Sequence, residues 1–314
     1  MRTFAFMAFA ALGLSCGGES TSSEADSLLS SGDSGSEEGP DSGSTDTVSD
    51  SEEPDCPVLS GECTGPLPSP DSLAFRIHDL TIGTTGLDGD ALNVDPEAGP
   101  EDCSPAQSCE NGNDNAMSPL AGFANDGLLN ALDVGNLMIV GEVSGDVASE
   151  FMLNLYNGVP SDDTCAFQTE TCVYDVAPTS FGCDCSIRSS MKASLNDGKL
   201  EAGGDEGTFA FLFPIDQEVL DLTAVRARLT ADVVETDGGW ELTNLVIGGA
   251  IARETLVQTI EEHPAEQFGA VAKSTVIQVI ESIPLDIDTD GDGEVDGISV
   301  GMRGGAISAT FSGN

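Results

Sequence analysis

The sequence predicts an α+β fold: a β-rich, mainly antiparallel sheet with two or three helices, held together by disulfide bonds. Three observations carry that prediction. Along residues 225–233, Val225, Ala227, Leu229, Ala231 and Val233 alternate with Arg226, Arg228, Thr230 and Asp232. A period of two marks a strand with one buried face. Two apolar patterns of helical spacing stop at Pro264 and Pro284, where proline removes the amide that the next turn needs. Finally, eight cysteines lie between Cys56 and Cys185, an even set that suits bridging in an oxidising compartment.

The elements follow in chain order. Strands are expected at 73–82, 136–145, 150–156 and 208–214. The clearest strand, 225–233, is followed by Asp237-Gly238-Gly239, a hairpin turn that admits positive φ. Residues 240–251 return as its partner. A last strand is expected within 298–311, with Ile307, Ala309 and Phe311 on one face. A helix at 119–132 follows Ser118 as its N-cap. A second helix at 252–263 carries Leu256 and Ile260. A third at 265–283 carries Phe268, Val271, Ala272, Val276, Val279, Ile280 and Ile283. Strands outnumber helices and the helices cluster, the signature of α+β organisation.

Charge excludes whole classes of partner. The 314 residues hold 55 acidic and 10 basic side chains, a formal net charge of −45. Phosphate recognition needs a basic face that releases counterions, so no nucleic-acid partner is expected. Adsorption to anionic headgroups is excluded for the same reason.

The first fifteen residues, MRTFAFMAFAALGLS, combine an early arginine with an apolar run shorter than the ~20 residues that span a bilayer. They read as a secretory signal peptide. Leu14-Ser15-Cys16-Gly17 then resembles the lipobox of bacterial lipoproteins, although Gly13 stands where that family prefers leucine. The resemblance implies lipidation of Cys16, membrane attachment through the acyl chains, and an outer-membrane or cell-surface address. Residues 17–54 hold twelve serines, eleven acids, no Lys or Arg and only Ala25, Leu28, Leu29 and Val48 as aliphatics. Such a segment cannot bury enough apolar surface to offset its ordering entropy, so 16–54 is expected to be a disordered linker. Residues 55–314 are expected to form a single domain. The arrangement is similar to that of bacterial lipoproteins with acidic Ser/Asp/Gly stalks.

The simplest disulfide pattern is local: Cys56 with Cys63, Cys103 with Cys109, and two bridges among Cys165, Cys172, Cys183 and Cys185. His78 and His263 are remote from these cysteines and no CxxC pair occurs, which argues against zinc.

The strongest chemical motif is Asp286-Ile287-Asp288-Thr289-Asp290-Gly291-Asp292-Gly293-Glu294-Val295-Asp296-Gly297. Six carboxylates within 286–296 repel one another unless a cation joins them, and Ca²⁺ is the hard cation that collects six to eight oxygens from a flexible loop. The motif resembles the calcium loops of EF-hands, dockerins and thrombospondin type 3 repeats. That resemblance implies side-chain ligation by Asp288, Asp290 and Asp292, a backbone carbonyl from Glu294, and a further ligand in Asp296. Gly293 takes the sharp turn and Val295 the apolar anchor. Ser299 stands where an EF-hand has its bidentate glutamate, so a structural site at 286–299 is implied, with no opening sensor. A second oxygen-rich set, Asp88, Asp90, Asn93, Asp95, Asn111, Asn113, Asp114 and Asn115, suits either another Ca²⁺ site or ordinary turns.

Other motifs lack their context. Gly297-Ile298-Ser299-Val300-Gly301 matches the GxSxG elbow but has no histidine downstream. Ser189-Ser190-Met191-Lys192 matches SxxK without its companion elements. The functional expectation is therefore an exported, lipid-anchored, calcium-binding module, binding or structural rather than catalytic, whose surface ligand or glycan is not specified by the sequence. The alternatives are a secreted calcium-stabilised hydrolase and a hydrophobic-ligand carrier. A cleft with two facing carboxylates would mark the hydrolase, and an apolar tunnel the carrier.

Overall fold

Strand pairing closes on itself. β1 (Leu73–Ile82) pairs with β2 (Ile139–Ser144), and β2 with β3 (Phe151–Pro160). β3 continues to β5 (Ser189–Asn196) and β5 to β6 (Lys199–Gly203). β6 joins β8 (Glu218–Thr236), β8 joins β9 (Gly239–Ala252), and β9 joins β10 (Gly297–Phe311). β10 then pairs with β1. All eight junctions are antiparallel, so the mainly antiparallel sheet is an eight-stranded barrel, an arrangement that leaves no free edge along the ring. β7 (Thr208–Ile215) pairs with the first half of β8 and lengthens one wall. The short β4 (Val173–Val176) lies outside, against β3 and the end of β10.

The computed structural model describes residues 66–96, 112–162, 164–167, 172–215, 218–237, 239–264 and 272–312, all within one compact unit, Glu52–Asn314. The signal peptide, Cys16, the acidic linker, Cys56, Cys63, Cys103, Cys109 and Asn111 lie outside the described residues.

The 225–233 alternation is present but changes phase. Arg226 adopts φ 51° and the β8–β9 register shifts between Val225 and Arg228. Leu220, Leu222 and Ala224 therefore face inward before the bulge, and Ala227, Leu229 and Ala231 after it. Val225 falls on the other side, because an extra residue in one strand inverts every side chain beyond it. β1 has a similar shift between Ile77 and Asp79, which keeps Phe75, Ile77, Leu80 and Ile82 in the interior. Gly141 on β2 makes room for Phe75, since a Cβ there would come within 2.2 Å of the ring.

Three helices fill and cap this barrel. α1 (Ala121–Val134) follows a 3₁₀ turn at Ser118–Leu120, so Ser118 opens the turn and Leu120 occupies the N-cap position of α1. Leu128 and Leu132 carry α1 into the barrel core, and Gly135, at φ 81°, ends the helix in the left-handed conformation that glycine adopts readily. α2 (Arg253–Glu262) continues directly from β9, and α3 (Lys273–Ser282) packs against it. The single apolar pattern read at 265–283 thus contributes a described helix of ten residues.

A second apolar layer lies outside the barrel, where Tyr156, Tyr174, Phe181 and Phe311 cluster. Cys165 and Cys172 form a disulfide beside it. Cys183 and Cys185 are also disulfide-bonded. Arg76, buried on the outer face of β1, donates from Nη2 to the Phe167 carbonyl at 2.6 Å and so ties this lobe to the barrel.

Candidate ligand cavity and acidic loop

The acidic loop is closed at its base by backbone pairing. The Gly297 amide donates to Ile287 at 2.8 Å and the Asp286 amide donates to Gly297 at 3.0 Å. Ile287 is fully buried with Val94 and Ala250. Above this base, Asp288 accepts the amides of Gly291 (2.7 Å) and Gly293 (2.9 Å), while the chain turns through positive φ at both glycines. The Gly293 amide first, and the Gly291 amide next, hold the Asp288 carboxyl below its usual range. Asp290 and Asp292 accept the amides of Asp292 and Glu294.

This winding gathers ligating oxygens of Asp288, Asp290 and Asp292 within 4.8 Å of one another, a group that could hold a metal ion. The other two sequence candidates stand apart from that triplet. Asp296 accepts the Thr289 amide and hydroxyl, each at 2.8 Å from Oδ1. Glu294 is exposed, and its amide is bonded to Asp292. Thr289 is the residue that sequence reading missed: its β-branched hydroxyl ties the two arms of the loop together.

Most of the second acidic set serves as stitching. Asn115 donates to the carbonyls of Gly83 and Thr85, both at 2.9 Å, and accepts the Gly301 amide at 3.0 Å. Asp90 accepts the Thr85 hydroxyl at 2.8 Å and pairs with Arg303 at 2.9 Å. Burial pushes the Asp90 carboxyl up, but the Thr85 hydroxyl, Arg303 and Thr84 outweigh it, and the net displacement is downward. Asp114 behaves oppositely. It is 2 % exposed, and its carboxyl is pushed up to about 8 by burial first, and then by the charges of Asp95 and Asp286.

The GxSxG serine is fully buried, and its hydroxyl donates to Asp286. It is therefore closed to any substrate. In the SxxK stretch, Ser189 is buried and accepts the Ala210 amide, whereas Lys192 is exposed beside Glu206. His78 is exposed on β1, and His263 bonds through Nδ1 to the Thr259 carbonyl at the end of α2.

One end of the barrel encloses an apolar cavity of about 380 Å³. Its wall is formed by Ile82, Phe211, Leu222, Ile251, Val300 and Met302, one or two from each of β1, β7, β8, β9 and β10. Leu256 and Ile260 of α2 and Val276 and Ile280 of α3 close it from above, each pair one helical turn apart. The exposed lining residues are Pro119, Thr275 and Val279, so the mouth lies between the 3₁₀ turn and α3. Among the described residues that line it, none is charged and Thr275 alone has a polar side chain.

No protein-family model, curated protein or solved structure matches the chain. The site must therefore be read from its own chemistry. Among the described residues no helix is long and apolar enough to cross a membrane. The cavity was hard to see in the sequence, because each lining residue reads as ordinary core. Only closure of the barrel brings Ile82, Ile251 and Val300 to the same end.

Proposed function

We propose that this protein is an exported, lipid-anchored carrier or receptor for a small apolar ligand. The observation that carries this reading is the apolar cavity at the helical end of the barrel. Its volume of about 380 Å³ falls within the ~300–1,000 Å³ typical of small-molecule sites. The described lining offers no pair of facing carboxylates, the feature that a polysaccharide hydrolase would need there. The tether rests on the lipobox-like residues around Cys16, with 17–54 as the spacer. The Asp288, Asp290 and Asp292 triplet supports a structural Ca²⁺ site in the loop between α3 and β10, a hard oxygen set suited to that ion.

The direct test is titration of the mature chain carrying Cys16→Ser with the uncharged fluorescent probe N-phenyl-1-naphthylamine. Saturable binding near one probe per chain, weakened at least ~10-fold by Val276→Phe, is the expected result. Binding that Val276→Phe leaves unchanged would place the probe elsewhere and remove the carrier reading.

A further inference from the structure

We infer that the cavity selects an uncharged ligand, a medium-chain alcohol, whose hydroxyl lies beside that of Thr275. This rests on the carrier reading and adds to it the charge of the ligand.

Charge follows from the lining. An ionised group taken out of water without a partner is strongly disfavoured, and the described lining contains no cation.

The two basic residues of the α2–α3 pair are committed elsewhere. Lys273 donates to the carbonyls of Glu261 and His263, and Arg253 donates to that of Ile283. Lys273 also stands two positions before Thr275, and residues two apart do not share a helix face. The net charge of −45 further opposes an anionic ligand. Thr275 and Val279, four apart and both exposed, present the hydroxyl and an apolar neighbour together at the mouth.

The test is displacement of N-phenyl-1-naphthylamine at pH 8 by 1-decanol and by decanoate, molecules matched in length and different in charge. Decanol should displace the probe at a tenth or less of the decanoate concentration, the scale set by leaving a charge unpaired. Thr275→Val should weaken decanol about fivefold, the worth of one neutral hydrogen bond. Val279→Arg supplies the missing cation and should improve decanoate about tenfold. Equal displacement by decanol and decanoate, or indifference of decanoate to Val279→Arg, would overturn the charge selection while leaving the carrier intact. Failure of the probe to bind at all would overturn both.

Discussion

Lys273, the first residue of α3, places its Nζ 2.8 Å from the carbonyl oxygen of His263, the residue that caps the end of α2. Arg253, the first residue of α2, answers by donating to the carbonyl of Ile283 at the end of α3. Each helix thus ends on a cation from the start of the other, where its unsatisfied carbonyls and the negative end of its dipole lie. The two helices are fastened to each other at both ends, which makes the roof of the cavity a pair.

That reciprocity predicts a local effect. Lys273→Met should cost about 1 kcal/mol of local stability and raise amide exchange across 253–262 and 273–282 by about fivefold. Amides of β9 and β10 should exchange as before. Hydrogen-exchange mass spectrometry reads both, and acceleration spread evenly over the barrel strands would show that the pair is not an independent unit.

Cavity filling predicts the opposite sign for stability. Val276 lines the roof and is only half-buried, so Val276→Phe can place its ring in existing space. The melting temperature should hold or rise, since no contact is lost and apolar surface is covered. Ile280→Ala, by contrast, enlarges the cavity and should destabilise by roughly 2–4 kcal/mol. Differential scanning calorimetry distinguishes the two. Comparable destabilisation by both would mean that the space is not open to a side chain.

The acidic loop predicts a response to calcium. With an affinity of extracellular type, ~10⁻³ M, 10 mM Ca²⁺ should stabilise the fold by about 1.4 kcal/mol. Asp290→Asn should abolish that gain, because Asp290 belongs to the triplet. Asp296→Asn should lower stability even with chelator present, because its carboxylate ties down Thr289. A melting temperature indifferent to Ca²⁺ and to chelator would end the calcium reading.

These contrasts show which parts of the molecule were legible in its sequence. The acidic loop was legible because its logic is local: residues 288–293 wind around their own amides, and spacing alone brings the three aspartates together. Seven of the ten strands were legible from their apolar patterns, but β4, β5 and β6 were not, and neither was the phase of β8. The bulge at Arg226 moves Val225 off the buried face, and nothing in the side-chain pattern announces a residue with positive φ. Barrel closure was not legible either, because it depends on β1 pairing with β10, more than two hundred residues away. The cavity inherits that difficulty, and so does the Lys273 contact, since a lone lysine at the start of a helix carries no sign of the carbonyls it will meet.

Asp114 yields the pH prediction. Its folded carboxyl titrates near 8, raised by burial and by Asp95 and Asp286, whereas in the unfolded chain it titrates near ~3.9. Between those values the folded state retains a proton that the unfolded state has released. Stability therefore falls as pH rises through this window and is fully reduced above it. Asp90 works in the other direction: its lowered carboxyl contributes stability above the usual carboxylate range, lost as pH falls through its folded value. Asp114 thus opposes alkaline pH and Asp90 opposes acid pH. Asp114→Asn keeps an oxygen for the Val94 amide, which donates to Asp114 at 2.9 Å, and removes the titrating group. The variant should gain more stability at pH 8 than at pH 5, and show a shallower fall in melting temperature between them. Thermal denaturation in chelator at both pH values makes the comparison without metal. Parallel pH profiles for the variant and the parent would mean that the burial of Asp114 does not govern the alkaline limb.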